Sequence, residues 1–138
     1  MAKSLREVWE QLVSHQVTRD LDGWIACFAD DGVMEWPFRL KGVLPRAEGR
    51  DGIRAALEPV WQRAKRLNRR ISGHERVVLH ETTDPEVAIV EFDIVGETAR
   101  GPFRQAVVYL LRVRGGHVVL LREFVDTAAL NELFQAGG

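Results

Sequence analysis

The residues able to do chemistry in this sequence are few, and two of them are neighbours. In "LLREFVD", residues 120–126, Arg122 and Glu123 stand inside an otherwise apolar, strand-like stretch. Successive side chains of a strand point to opposite faces, so one of the two faces the interior and the other faces solvent or a partner. A carboxylate turned into an apolar interior has its pKa raised toward the range a general acid or base needs, whereas a guanidinium there stays charged. The stretch "FRQAVVYLLRVR", residues 103–114, adds Gln105 and Tyr109 on one face with Phe103, Val107 and Leu111. A phenol can donate to a developing oxyanion and an amide can orient a carbonyl, so Glu123, Tyr109 and Gln105 together suit proton transfer next to a carbonyl.

Counting across the hairpin gives two outcomes. If "GG" (115–116) closes a two-residue turn, Tyr109 lies opposite Arg122, which then faces inward. If "RGG" (114–116) is a three-residue loop with a left-handed glycine, Tyr109 lies opposite Leu121, and Glu123 sits diagonally to Tyr109 and Gln105. Both registers remain open. The greater cost of burying a group that cannot be neutralised favours Glu123 inward.

These groups need a scaffold. Leu5, Val8, Trp9, Leu12, Val13, Gln16 and Val17 recur at helical spacing behind a Ser4/Glu7 capping box. Asp20 is placed to cap a second helix with Leu21, Trp24, Ile25 and Phe28 that ends at "ADDG", and "VMEWPF" follows as a short strand stopped by Pro37. After a polar loop to Arg50, Asp51 is placed to cap a third helix with Ile53, Leu57, Val60, Trp61 and Ala64 on one face and Pro59 within it. Strands are expected over 71–81, 86–96, 103–114 and 117–125, separated by turn chemistry, and Asp126 caps a last helix with Leu130, Leu133 and Phe134. The order α-α-β-α-β-β-β-β-α describes a single α+β domain over residues 1–138, with one curved sheet wrapped around amphipathic helices. On 86–96, Ala88, Val90, Phe92 and Ile94 form the inner face. Trp24, Trp36 and Trp61, from three different elements, should meet there, a convergence that suits a pocket and a solid core equally.

At 46% hydrophobic and 28% charged, the chain suits one domain with one core. A net charge of −1 gives no general attraction to nucleic acid or anionic membrane. The basic run "RAKRLNRR" (63–70) reads as cations at a helix C-terminus, against the alternative that it touches nucleic acid or an anionic ligand. The single Cys27 cannot form a disulfide framework, His15, His74, His80 and His117 lack metal-ligand spacing, and no stretch is long enough to span a membrane. The expectation is a cytoplasmic protein without metal or cofactor. Arg outnumbers Lys sixteen to three, which fits a GC-rich, bacterial genome.

"DLDGWIACFADDGVMEWPF", the "EGRDGI" helix start and "GPFRQAVVYLLRVRGGHVVLLREFVD" resemble the SnoaL-like branch of the NTF2-like superfamily. That resemblance, over nearly the whole chain, implies a cone-shaped fold: a curved, mixed but mainly antiparallel sheet, three N-terminal helices, a short C-terminal helix and a deep apolar cavity. The superfamily includes ketosteroid isomerase, polyketide cyclases, limonene-epoxide hydrolase and the phenazine-biosynthesis A/B proteins. The isomerase's general-base position falls at Trp36, its helix-one tyrosine at Leu12 and its protonated aspartate at Tyr109, so a steroid isomerase is not implied. "REFVD" resembles the segment where the hydrolase and the phenazine proteins carry an acidic functional residue, here Glu123. The hydrolase's middle-strand Arg and Asp fall at Val90 and Phe92, and the phenazine proteins' helix-three histidine at Glu58.

The expectation is therefore a cofactor-independent isomerase or cyclase acting by general acid–base catalysis on an apolar, polyketide-, terpenoid- or steroid-like molecule. Glu123 transfers the proton with Tyr109 assisting, and the ligand is lined by Gln105, Trp36, Met34, Trp24, Phe28, Leu57, Trp61, Phe92, Val107 and Leu121. The alternatives are an epoxide hydrolase, which needs a second acid, and a non-catalytic ligand-binding or dimerisation module. Val108, Leu110, Val118, Leu120 and Phe124 make the supposed outer sheet face apolar, so a homodimer through that face is expected.

Overall fold

The computed structural model describes residues 2–136, with side chains through residue 132. Helix α1 (Leu5–Thr18) opens on the expected capping box: Ser4 Oγ accepts the Glu7 N–H at 3.2 Å, and the Glu7 carboxylate accepts the Ser4 N–H at 3.1 Å. Such a cap contributes about 1 kcal/mol. Val8, Trp9, Leu12 and Val13 form the buried stripe. Helix α2 (Leu21–Ala26) starts at Asp20, whose carboxylate accepts the Gly23 N–H at 2.9 Å.

The second helix is shorter than its apolar spacing suggests. Phe28 and "ADDG" belong to strand β1 (Phe28–Glu35), because the backbone there pairs in parallel with strand β6 (His117–Val125), from Phe28 beside Val118 to Glu35 beside Arg122. Polar residues conceal this strand, and Asp30 is exposed and paired with Arg50 at 3.0 Å. A further strand, β2 (Arg46–Glu48), lies within the supposed loop and pairs antiparallel with β1. Three residues with only Ala47 buried give no readable alternation. Helix α3 (Gly49–Arg66) begins before Asp51, and its N-cap Glu48 makes no side-chain cap, so Asp51 sits in the first turn. Its interior Pro59 is exposed, and the helix continues past it.

Strands β3 (Arg70–Glu81), β4 (Val87–Thr98), β5 (Gly101–Arg114) and β6 close to their expected bounds complete one six-stranded sheet in the order β2-β1-β6-β5-β4-β3. Only β1 and β6 run parallel. Ala88, Val90, Phe92 and Ile94 face the helices and are buried. Helix α4 (Thr127–Ala136) follows Asp126, whose carboxylate accepts the Ala129 N–H at 3.0 Å. Leu130 is buried, while the side chains of Leu133 and Phe134 lie outside the described residues.

The β5–β6 hairpin follows neither simple count. Arg114 pairs with His117 across Gly115 and Gly116, both at positive φ (59° and 80°), so the turn has two residues. Unbroken pairing would then set Tyr109 opposite Arg122. Instead Val113 pairs with Val118 and Arg112 with Leu120, leaving Val119 as a bulge. The extra residue shifts the register by one and sets Tyr109 directly opposite Glu123. Glu123 therefore shares the inner face with Tyr109. Arg122 takes the outer face, where its Nε donates to Glu35 at 2.8 Å; Glu35 also accepts from Arg46 at 2.7 Å.

The same bulge corrects the outer-face reading: Val118 is fully buried. Val108, Leu110, Leu120 and Phe124 stay half-exposed, with Phe38, 57% exposed, stacked edge-on against Phe124 at 5.7 Å. Across β3–β5 the outer face is charged, where Asp93 accepts from both Arg76 and Arg104 at 2.7 Å.

Candidate active site

Between the helices and the inner sheet face lies a cavity of about 400 Å³. Trp24, Trp36 and Trp61 all reach its wall, and Trp24 and Trp61 meet edge to face at 5.9 Å. Met34, Leu57, Gln105 and Glu123 line it as well. Five residues expected at the ligand do not: Phe28, Phe92, Val107, Leu121 and Tyr109 are packed behind the wall, none more than 2% exposed. Part of the cause is Trp9 of α1, which stacks edge-on against Phe92 at 5.3 Å and seals that portion of the sheet. Glu58, the position that falls at the phenazine proteins' helix-three histidine, lines the cavity as well.

Glu123 is the polar centre. Its carboxyl accepts hydrogen bonds from the Tyr109 phenol and the Trp36 indole. Burial raises its pKa above the ordinary carboxylate value, while the two hydrogen bonds and the charge of Arg69 oppose that rise. Tyr109 is wholly enclosed, and burial, followed by the nearby Glu123 charge, pushes its pKa well above 10.0. It stays a phenol with its proton directed at Glu123, and acts on a ligand only through that carboxylate.

Behind Tyr109 runs a chain that sequence reasoning did not foresee. Gln16 Nε2 donates to the Tyr109 hydroxyl oxygen at 3.3 Å, and His74 Nε2 lies 3.0 Å from Gln16 Oε1. An amide that accepts from His74 must present its NH₂ to Tyr109, which leaves the phenol proton for Glu123. A signal existed, because Gln16 is the one polar member of an otherwise apolar helical stripe. His74 is wedged between Trp9 and Phe92, and burial lowers its pKa from 6.5 to about 4. The unfolded chain thus takes up a proton below about pH 6.5 that the folded chain refuses until about pH 4. Stability is expected to fall as pH drops through that interval, by at most about 1.4 kcal/mol per pH unit. Urea titrations at pH 7, 5.5 and 4.5 check this, and His74→Gln should show a shallower decline than the parent.

Arg69 was also missed. It sits on the cavity wall, where its Nη2 donates to Gln105 Oε1 at 2.7 Å. Among the described residues no group of three or more His, Cys, Asp or Glu is placed to hold a metal ion. Among them, too, no helix is long and apolar enough to cross a membrane.

A curved mixed sheet with helices on its inner face, closed around a cavity with one carboxylate at its polar centre, defines an NTF2-like α+β cone. The chain belongs to the SnoaL-like domain family, whose profile matches residues 9–121. It is 32% identical over 108 residues to an uncharacterized PhzA/B-like protein of Pseudomonas aeruginosa, covering 76% of this chain and 72% of that one. Among solved structures it is similar to a Bacillus subtilis protein provisionally named an isomerase, with a TM-score of 0.81 at 21% identity, covering 96% of this chain and 92% of that one. A phenazine biosynthesis-related protein from Pseudomonas aeruginosa superposes with a TM-score of 0.64 at 20% identity, covering 94% and 86%. These structural likenesses speak for the fold alone.

Proposed function

We propose that the protein is a small enzyme of the isomerase or cyclase type that binds a compact, largely apolar cyclic molecule and moves a proton next to one of its carbonyls. The observation that carries this is the Glu123 carboxyl on the cavity wall, its pKa raised by burial and its orientation held by Tyr109 and Trp36. Such a carboxylate is a stronger base than one in water. Glu123 takes a proton from the carbon beside the carbonyl, the electron pair moves onto the carbonyl oxygen, and Gln105 donates to that oxygen. Return of the proton to another carbon completes an isomerisation; attack of the enolate carbon on a second carbonyl within the same molecule, whose oxygen then takes the proton back from Glu123, completes a ring closure. The step balances with no added oxidant or reductant.

The test does not require the native substrate. Bicyclic and tricyclic ketones such as 2-tetralone are incubated with the protein in D₂O, and exchange of the hydrogens next to the carbonyl is followed by NMR. Exchange above the buffer rate, saturating with ketone concentration, is expected for at least one compound. A panel that exchanges only at the buffer rate counts against the reading.

Water activation for epoxide opening stands second. Glu58 supplies a second carboxylate on the wall, but no hydrogen bond joins it to Glu123. A non-catalytic ligand-binding or dimerisation module stands third: its support is the apolar outer sheet face, while the cavity-facing Glu123 favours catalysis. A homodimer is compatible with any of these: the half-exposed Val108, Leu110, Leu120 and Phe124, with Phe38, form one apolar area on the outer face. Light scattering at micromolar concentration should give twice the 15.6 kDa chain mass, and Phe124→Asp should give the single chain.

A further inference from the structure

We infer that the ligand of this cavity carries an acidic oxygen, either a carboxylate or an ionised enol, and that Arg69 together with Gln105 holds it. This rests on the reading of the cavity as the ligand site and adds the chemical class of what enters.

The local sequence aims Arg69 inward. Helix α3 ends where Asn68 adopts a left-handed conformation (φ 55°), and the Arg69 N–H closes back on the Ala64 carbonyl at 2.9 Å. That reversal places the Arg69 side chain on the cavity wall at the start of β3. The Arg19 guanidinium donates to the Arg69 carbonyl and fixes the backbone there.

The guanidinium's direct contacts are neutral, and the charges of Glu123 and Arg19 reach it only through space. Its Nη2 binds Gln105 Oε1, its carbon lies 4.6 Å from the Phe103 ring centre, and its Nε is buried without an acceptor. Arg104, Arg112 and Arg122 on the outer face each bond a carboxylate directly, whereas among the described residues none stands within ion-pair distance of Arg69. Glu123 acts on it only through space, and burial still lowers the Arg69 pKa to about 10, which leaves it charged at neutral pH. A charge taken out of water without an ion-pair partner is costly, and a ligand that brings the missing anion recovers that cost on binding.

Gln105 completes the case. Because its amide oxygen is occupied by Arg69, both amide hydrogens remain for the cavity. The wall at this point therefore offers donors and no acceptor. Such a wall rewards a negatively charged oxygen far more than a neutral ring edge or ester. With the acidic oxygen seated there and the indoles of Trp24, Trp36 and Trp61 around the remainder, the carbon skeleton lies within the cavity that Glu123 faces.

The experiment measures quenching of tryptophan fluorescence at pH 7.5 by two matched pairs of probes. One pair is 2-naphthoate and 2-naphthamide; the other is 2-hydroxy-1,4-naphthoquinone, ionised at that pH, and its methyl ether. The anionic member of at least one pair should bind at least tenfold more tightly than its neutral counterpart, and the pair showing the larger ratio identifies carboxylate or enol. Arg69→Met should erase the ratio while leaving the neutral probe's affinity within twofold. Should that variant fold poorly, Gln105→Glu gives Arg69 an internal carboxylate and should erase the ratio in a stable protein. Equal binding of anion and neutral probe in both pairs, or a ratio that survives both substitutions, overturns the inference while the cavity reading stands. If no probe of either charge binds, both fall together.

Discussion

Glutamine in place of Glu123 is expected to lower catalysed exchange beside a ketone carbonyl by about 100-fold or more while leaving ligand affinity nearly unchanged. The amide has the shape of the carboxylate and its oxygen can still accept from Tyr109 and Trp36, so the cavity keeps its form and loses only its base. Two further readouts separate this from general damage. Burial raises the folded-state pKa of Glu123, so the folded protein holds that proton more tightly than the unfolded chain, and ionisation weakens the fold as pH rises through the raised value. The glutamine variant escapes this loss and should melt higher than the parent once pH exceeds that raised value, gaining stability as it loses activity. In the parent, exchange should increase with pH along a limb displaced above the ordinary carboxylate range. Tyr109→Phe removes a hydrogen bond that lowers the Glu123 pKa, so it should move that limb further up and cost less activity. Undiminished exchange in Glu123→Gln would transfer the role of base to Glu58.

Gly96→Ala is expected to cost about 3 kcal/mol or more, read from the urea midpoint, or to prevent folding. Gly96 lies on β4 opposite Ile71, where the strands approach so closely that an added Cβ would stand 1.9 Å from the Arg70 carbonyl oxygen and 2.8 Å from the Phe103 ring. A flexible side chain could swing away, but the Arg70 carbonyl is backbone, so the start of β3 must lift from β4. Arg69 precedes that point and Phe103 is its stacking surface, so the residual folded fraction should also lose preference for anionic probes. Gly73, on β3 three residues past Arg70, is the control: nothing lies within 4 Å of its would-be Cβ, and alanine there should cost little.

Much of this architecture is legible in the sequence because its strands alternate cleanly. Val90, Phe92 and Ile94 against Glu91 and Asp93, and Phe103, Val107 and Leu111 against Arg104 and Arg112, fix which face turns inward. Alternation carries no information about a bulge, however. Val119 is one more β-branched residue in an apolar run, and only the geometry shows that it is skipped. The preference for Glu123 inward thus rested on the cost of burying Arg122, while the count behind it missed the true register. β1 stayed partly hidden for the opposite reason, since its first half is polar and held by backbone pairing. The cavity wall was readable as far as side chains on long elements went, which captured Trp24, Trp36, Trp61, Gln105 and Glu123. Arg69 was obscured because its orientation depends on a single left-handed residue, Asn68, inside a run that resembles an ordinary basic helix end.

The position of β6 between β1 and β5 also bears on how the chain assembles. The β3–β4–β5 meander joins neighbours in sequence and can zip early, since its loops are short. β1, by contrast, emerges more than 80 residues before the strand that pairs with its other edge, and that pairing is the sheet's one parallel ladder. Closing so long a loop for a parallel contact is intrinsically slow. Until β1 docks onto β6, the inner face is therefore an open apolar trough bordered by the unsatisfied edge of the strand that bears Glu123. A nascent chain stalled in that interval presents a surface suited to chaperones or to aggregation. The residue that gives the cavity its chemistry is among the last to arrive, and its arrival coincides with closure of the sheet.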